Sequence, residues 1–240
     1  CNGSGSGKGR EPMNRKRSSL GSTMTVQAYK PAGPTIERFH KSFAKTRGVM
    51  GPIGGGKTTA MAQDIKLKSA MVPPVMVGGY PVRHVRWGAF RRTYRQIEQT
   101  TLPSWFASGI PKDAPSSTFR GGSGGEPGVQ ETLLQLTDGT LMQLQMIFLA
   151  VDDFNVEEVL RGWELTGAWG NEADTLPEEW FRKINGRLRY PLGELAGPTG
   201  ESPFYGSIMD FNAPDEDNYL FDEIMDPSKG TEFFIQPGGL

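Results

Sequence analysis

The segment Gly51-Pro52-Ile53-Gly54-Gly55-Gly56-Lys57-Thr58 matches the pattern G-x-x-x-x-G-K-[ST] at every fixed position. Glycines in this pattern let successive backbone N–H groups turn toward one anionic centre, and a following helix adds its positive N-terminal end. The lysine can then reach the β and γ phosphates of a nucleotide, while the threonine hydroxyl completes the shell of a Mg²⁺ ion. The segment therefore predicts binding of ATP with Mg²⁺. The predicted nucleotide-binding residues are Gly51, Pro52, Ile53, Gly54, Gly55, Gly56, Lys57, Thr58 and Thr59.

The flanking residues supply the setting that this pattern needs. Val49 and Met50 end an apolar segment that predicts a strand, and the composition of residues 57–68 favours a helix that Pro73 and Pro74 close. A strand, a glycine-rich turn and a helix in this order favour a phosphate-binding loop over a chance match in a chain with 32 glycines.

Hydrolysis of ATP also needs a carboxylate near Mg²⁺ and another that orients or deprotonates the attacking water. Two places offer acids after a predicted strand. Asp152 and Asp153 follow the apolar run 146–151, and Glu172 follows a weaker strand, with Asn171 before it and Asp174 after it. The pattern alone prefers the first place, but both sets of acids are also typical helix caps.

The rest of the chain alternates strands with helices, which predicts an α/β fold with a mainly parallel sheet covered on both faces. Asp138-Gly139 lies between two apolar segments and predicts a β-hairpin added to that sheet. Further strands are predicted at 84–90, 131–136, 140–151, 164–170, 206–211 and 233–235, and further helices at 91–106, 156–160, 177–189 and 216–225.

The bulk composition excludes several classes of protein. The formal net charge is −1, so a nucleic-acid partner would need a local basic patch. Cys1 is the only cysteine, which excludes a disulfide framework and a cysteine metal site, and no apolar run reaches the length of a membrane-spanning helix. Residues 1–23 are expected to be a disordered tail or a vector-derived segment, and residues 24–240 a single domain.

Arginines form a second group of residues that could take part in catalysis. Ring ATPases commonly take an arginine from a neighbouring subunit to stabilise the transition state of phosphoryl transfer. Arg91, Arg92 and Arg95 are candidates for this role, with Arg47 as a version within the subunit. A basic cluster could instead contact a DNA backbone or a subunit interface; it comprises Arg83, His84, Arg86, Arg91, Arg92 and Arg95, with Trp87 and Tyr94 between them.

The order of these segments from Phe39 to Leu240 resembles the ATPase domain of the large terminase subunit, the DNA-packaging motor of tailed bacteriophages. The resemblance begins with the phosphate-binding loop and ends at a closing strand before the linker to a nuclease domain. Its further parts are the strand and basic helix at 89–93, the hairpin at 138–139, the acid-tipped helix at 152–162, the strand at 164–172, the coupling segment at 207–214 and the closing strand at 234–240.

This resemblance implies a P-loop NTPase fold of the RecA/ASCE type, a three-layer sandwich with an added β-hairpin. It makes Glu172 the catalytic glutamate, acting with Lys57, Arg91 and Arg92, and it makes Asn212 the residue that senses the γ-phosphate. Asn171 stands where the family often has an acid, so Mg²⁺ is expected at Thr58 with Asn171, Asp152 or Asp174 in the missing role.

The function that the resemblance implies is hydrolysis of ATP coupled to movement of double-stranded viral DNA into a procapsid. The implied partners are double-stranded DNA, the portal protein, the small terminase subunit and further copies of this chain in a ring, in the host cytoplasm and transiently at the portal vertex. We expect no nuclease activity from this chain. The alternatives are another P-loop ATPase, helicase-like or of the secretion type, and a nucleotide-dependent assembly module.

Overall fold

A mixed sheet of nine strands forms the centre of the fold in a computed structural model that describes residues 29–152, 155–196, 204–226, 228 and 230–238. Eight strands lie in the order β4-β5-β6-β3-β7-β8-β1-β9, and β2 pairs with β3. The strands are β1 (Thr46–Met50), β2 (Val75–Val77), β3 (Tyr80–Arg91), β4 (Ser117–Arg120), β5 (Gly128–Gln135), β6 (Leu141–Ala150), β7 (Gly167–Asn171), β8 (Gly206–Phe211) and β9 (Thr231–Ile235).

In the sheet order, the six neighbouring strands β6-β3-β7-β8-β1-β9 are parallel, as the alternation of strands and helices predicts. The β5–β6 pair is antiparallel and turns at Asp138 and Gly139, where Leu136 N–H donates to the Thr140 carbonyl at 2.8 Å, so the predicted hairpin is confirmed. β4 extends this antiparallel part. The sheet thus has a parallel half, which ends in the phosphate-binding loop, and an antiparallel margin.

Helices cover both faces of the sheet, which confirms the three-layer α/β sandwich. Successive residues of β3 belong to two separate apolar clusters, since Trp87 and Ala89 pack on one face and Phe90 on the other. Buried side chains of α1, α2 and α4 join the first cluster, and those of α5, α6 and α7 the second. The helices are α1 (Pro34–Lys41), α2 (Lys57–Ser69), α3 (Tyr94–Gln96), α4 (Leu102–Ser108), α5 (Val156–Arg161), α6 (Glu178–Ile184) and α7 (Tyr219–Met225).

The single helix predicted at 91–106 is the main local error. Arg91 still belongs to β3, and helical structure starts only after Thr93, whose hydroxyl accepts from Gln96 N–H in a capping box. A π turn over Ile97–Thr101 then separates α3 from α4. Residues 177–189 likewise form a shorter helix, α6, followed by a 3-10 turn.

Three parts of the sequence interpretation fall outside the described residues: the tail at 1–23, Asp153, and the last two residues of the closing segment at 234–240. Within the described ranges, no helix combines the length and apolar character that crossing a membrane requires.

Candidate nucleotide site

The phosphate-binding loop joins the end of β1 to the start of α2, as predicted. Gly54 and Gly56 have φ values of 81° and 75°, a left-handed backbone that side chains disfavour, so these two glycines allow the tight turn. Gly56 is also the N-cap of α2, and the helix begins at Lys57. The loop therefore leads into the N-terminal end of a 13-residue helix at the carboxyl end of β1, and the first N–H groups of a helix have no partner within it.

Lys57 lies across this loop and is nearly buried. Its ammonium donates to the carbonyls of Gly51 at 2.6 Å and Pro52 at 2.8 Å, and to Asn212 Oδ1 at 3.3 Å. Burial lowers the pKa of Lys57, against the attraction of Asp210 and weaker attractions of other nearby carboxylates. A nucleotide phosphate would offer this ammonium a charged partner in place of neutral carbonyl oxygens.

Thr58 is bonded to a carboxylate that the sequence interpretation did not single out. Its hydroxyl donates to Asp210 Oδ2 at 2.9 Å. Asp210 lies in β8, the strand between β1 and β7, and its residue exposure is only 2%. Trp169 Nε1 donates to Asp210 Oδ1 at 2.7 Å, and Asn171 Nδ2 lies 3.2 Å from both carboxylate oxygens. The pKa of Asp210 is raised, because the effect of burial exceeds the opposing effects of these hydrogen bonds and of Lys57.

Asn171 ends β7 and presents its amide nitrogen to this carboxylate. On the other side, Thr101 Oγ1 donates to Asn171 Oδ1 at 2.7 Å. An ionised carboxylate only accepts hydrogen bonds, so Asp210 fixes which end of the Asn171 amide faces it. The amide oxygen, which would be the metal ligand, is therefore turned toward Thr101. The structure does not place Asn171 as a ligand of an ion held by Thr58.

Glu172 directly follows β7 and forms an ion pair with Arg91, whose side chain is 4% exposed against 44% for that of the glutamate. Arg91 also donates to the carbonyl of Asn171 at 3.1 Å. Glu172 has φ 50°, and no other described non-glycine residue has a positive φ. Strained backbone of this kind is concentrated at functional sites. The structure thus holds the predicted catalytic glutamate on a strained turn, tied to a predicted catalytic arginine.

Asp174 lies close enough to interact with Glu172, Arg91 and Lys57. Burial is the main cause that raises its pKa, and its Oδ1 is buried without a hydrogen-bond partner. Asp174, one of the predicted substitutes for an acid at position 171, therefore belongs to the same group of charges.

Asp152 does not join this group. It follows β6, which is four strand positions from β1 in the sheet. At about 4.8 Å per strand this is a separation of ~19 Å. Because β3, β7 and β8 intervene, the strand order does not favour Asp152 as a ligand of an ion at Thr58, and its metal role stays a prediction.

The other predicted arginines form no hydrogen bond or ion pair with Lys57, Thr58 or Asp210 in the described residues. Arg92 donates to the Thr175 carbonyl at 3.2 Å, Arg95 is exposed on α3, and Arg47 is fully buried and bonded to Asp64 at 2.7 Å. The predicted basic cluster does not form one open surface. Arg83 pairs with Asp138, Arg86 bonds Gln145 and stacks on Tyr190, and Trp87 is buried in the core.

These residues fit Mg²⁺ and ATP. In the described ranges, no group of three or more His, Cys, Asp or Glu side chains could enclose a metal ion. Mg²⁺ bound with a nucleotide needs no such group, because it keeps several waters and takes one or two protein oxygens beside the phosphates. The Thr58 hydroxyl and the Asp210 carboxylate supply such oxygens next to the loop that would hold the phosphates.

The sheet order carries a further indication. In the sheet order β9-β1-β8-β7-β3, the single strand β8 lies between β1, which leads into the phosphate-binding loop, and β7, which Glu172 directly follows. Neither a protein-family model nor a curated protein matches the sequence. Two solved structures with similar folds are both of the large terminase from a thermophilic bacteriophage. One has a TM-score of 0.52 at 12% identity, with 82% of this chain and 41% of that chain covered. The other, in complex with ADP, has a TM-score of 0.50 at 13% identity, with 85% and 42% covered.

The chain has the fold of a phage large terminase. It spans about two fifths of the length of those two terminase chains. The predicted P-loop NTPase fold is therefore confirmed, whereas the roles of individual site residues stay predictions.

Sequence reasoning missed Asp210. A signal was available, because this aspartate stands among the apolar residues Ile208, Met209 and Phe211 of a predicted strand, where an acid needs a partner. The partner lies in another strand and in the loop, so the sequence could not name it.

Proposed function

We propose that this chain is the ATP-hydrolysing motor domain of a phage DNA-packaging terminase. The observation that carries the proposal is the meeting of Lys57, Thr58 and Glu172 at the carboxyl ends of β1 and β7, within a fold shared with large terminases. One of those terminases was solved in complex with ADP, which supports binding of a nucleotide by this chain.

In the proposed reaction the loop N–H groups and Lys57 bind the phosphates and neutralise the charge that develops on them. Mg²⁺, held by Thr58 and a carboxylate, would supply further neutralisation of that charge. Glu172 orients the attacking water and accepts its proton. To do so, the Glu172 carboxylate must leave Arg91, which then becomes free to approach the phosphates.

Asn212 is the proposed coupling residue. Its side chain accepts from Lys57, and it directly follows β8. When Lys57 changes its hydrogen-bond partner on phosphate binding or release, its bond to Asn212 would therefore change directly, with no other residue between them. We propose that this movement drives double-stranded DNA through a portal when copies of the chain form a ring with the portal protein and the small terminase subunit, in the host cytoplasm at the procapsid vertex.

The test is an ATPase assay on the wild type and on Lys57→Ala, Glu172→Gln and Glu157→Gln, with and without double-stranded DNA. Lys57→Ala is expected to lose nucleotide binding. Glu172→Gln should bind ATP but hydrolyse it about 10²- to 10⁴-fold more slowly. Glu157 is an exposed acid of α5, and Glu157→Gln serves as the matched control, which should bind and hydrolyse ATP like the wild type. Normal turnover by Glu172→Gln would overturn the catalytic assignment.

The ion pair between Arg91 and Glu172 also favours a second candidate, a nucleotide-dependent assembly module. A glutamate that stays bound to arginine cannot act as a base, and bound ATP would then only join subunits. ATP that remains unhydrolysed in assembled rings, with and without DNA, would select this candidate. Turnover stimulated by double-stranded DNA would select the motor.

A further inference from the structure

We propose that Asp210 of β8, rather than a residue at the end of β7, is the carboxylate that holds the Mg²⁺ of the bound nucleotide. We further propose that Asn171 positions this carboxylate. The inference rests on the proposed binding of Mg²⁺ with ATP, and it assigns to Asp210 the role that the position of Asn171 leaves without an acid.

The contact with Thr58 is the first support. Thr58 is the loop residue whose hydroxyl would ligate the ion, and that hydroxyl is 2.9 Å from Asp210 Oδ2. A cation that binds this hydroxyl therefore meets a carboxylate in direct contact with it. The nearby ammonium of Lys57 is attracted to the same carboxylate, as expected for the anion at the centre of the site.

The register of the two strands is the second support. Asn171 and Asp210 are direct partners in the parallel β7–β8 pair. If the acid and the amide exchanged places between these two paired positions, the same two groups would still lie side by side at the ends of the strands. The chain carries the amide on β7 and the acid on β8, which is one strand closer to the phosphate-binding loop.

The surroundings of Asp210 are the third support. Trp169 and Asn171 donate to it from β7, and Thr101 holds the far end of the Asn171 amide. These bonds orient the carboxylate so that Oδ2 faces Thr58. Groups that orient a metal-binding side chain in this way are typical of metal sites.

The other acids are less suitable. Glu172 is paired with Arg91, and Asp152 lies about four strand spacings, ~19 Å, from β1. Asp174 is near the site, but no hydrogen bond joins its side chain to Thr58 in the described structure. Asp174 is therefore the matched control for Asp210.

A simpler role for Asp210 would be structural, as an acceptor that ties Trp169 and Asn171 to β8. The test must therefore measure metal dependence rather than activity alone. The measurement is the affinity for a fluorescent ADP analogue in excess Mg²⁺ and again in EDTA, whose ratio gives the Mg²⁺ enhancement. Electron paramagnetic resonance of Mn²⁺ in the presence of ADP reports the bound ion directly.

Asp210→Asn is expected to reduce the Mg²⁺ enhancement and the Mn²⁺ affinity by at least about 10-fold, because losing even a partner that orients a metal ligand typically costs about 10- to 100-fold. Its affinity for the analogue in EDTA should stay within a few-fold of wild type, since Lys57 and the loop are intact. Asp174→Asn should keep the wild-type enhancement. A wild-type enhancement in Asp210→Asn, or its loss in Asp174→Asn instead, overturns the proposal.

Asp210→Asn places two amide nitrogens against each other, because Asn171 Nδ2 points at this position, and the variant could fail to fold. A second pair avoids that contact: Asn171→Ala alone, and Asn171→Ala combined with Asp210→Asn. The two differ only in the acid. The first should lose part of the Mg²⁺ enhancement, because Asn171 only positions the carboxylate, and the second should lose nearly all of it; equal enhancements overturn the proposal. If the wild type binds no nucleotide with or without Mg²⁺, the proposed function fails as well, which distinguishes the two failures.

Discussion

The strained backbone of Glu172 allows a prediction whose sign is unusual. Glu172→Gly and Glu172→Ala both remove the carboxylate and its ion pair with Arg91, so they differ only in what the backbone prefers. A left-handed backbone costs an L-residue about 1–2 kcal/mol, and glycine avoids this cost. Glycine in turn loses about 0.5–1 kcal/mol more than alanine through backbone entropy. The difference, about 0–1.5 kcal/mol with a central value of about 0.8 kcal/mol, leaves Glu172→Gly more stable than Glu172→Ala.

Equilibrium unfolding in urea, with both variants measured side by side, tests this order. For a domain of this size the difference corresponds to a shift in Tm of about 1–4 °C. Asp174 provides the matched control, because it lies two residues away without a positive φ. There the order should reverse, with Asp174→Gly about 0.5–1 kcal/mol less stable than Asp174→Ala. The same order at both positions would refute the strained backbone at Glu172.

Two further predictions concern charges away from the nucleotide. Asp64→Ala leaves the fully buried Arg47 without its acidic partner and should cost about 3–5 kcal/mol in urea unfolding, whereas removal of the exposed acid Glu37 should cost far less. Equal losses would contradict the buried pair. Hydrogen bonds from Thr140 lower the pKa of Asp138 from 3.8 to about 2, so its stabilising contribution is complete above pH 3.8 and disappears as the pH falls through 2. Asp138→Asn should therefore flatten the acid limb of a plot of unfolding free energy against pH, and an unchanged limb would contradict the assignment.

Local patterns in the sequence were sufficient for much of the fold. The strand predicted at 206–211 has the bounds of β8, the helix predicted after the phosphate-binding loop is α2, and the hairpin turns at Asp138 and Gly139. Each of these elements is determined by neighbours in the chain, such as apolar runs, glycines and turn residues. The break at Thr93 was missed because its capping box lies inside a segment of helical composition.

The acid of the proposed metal site could not be assigned from the sequence, because its position beside Thr58 depends on strand order. The two places that the pattern offered follow β6 and β7, and only the sheet shows that β6 is remote from β1. Asp210 lies within a strand rather than after one, so no local rule for strand ends or helix caps marks it. The catalytic role of Glu172 and the coupling role of Asn212 stay predictions, although Asn212 contacts Lys57 and Glu172 follows a strand only two positions from β1.

The contacts of β8 make this strand intolerant of a change in length. Asp210 contacts Thr58, and Asn212, two positions further along the chain, contacts Lys57. Two residues on the same side of the extended chain thus contact two consecutive residues of the phosphate-binding motif. Deleting one residue earlier in β8 would bring the phenyl ring of Phe211 toward Thr58, since successive side chains of a strand alternate in direction. The turn at Asp138 and Gly139 carries no such constraint from the nucleotide. Evolution can therefore lengthen or shorten the hairpin while the spacing within β8 stays fixed.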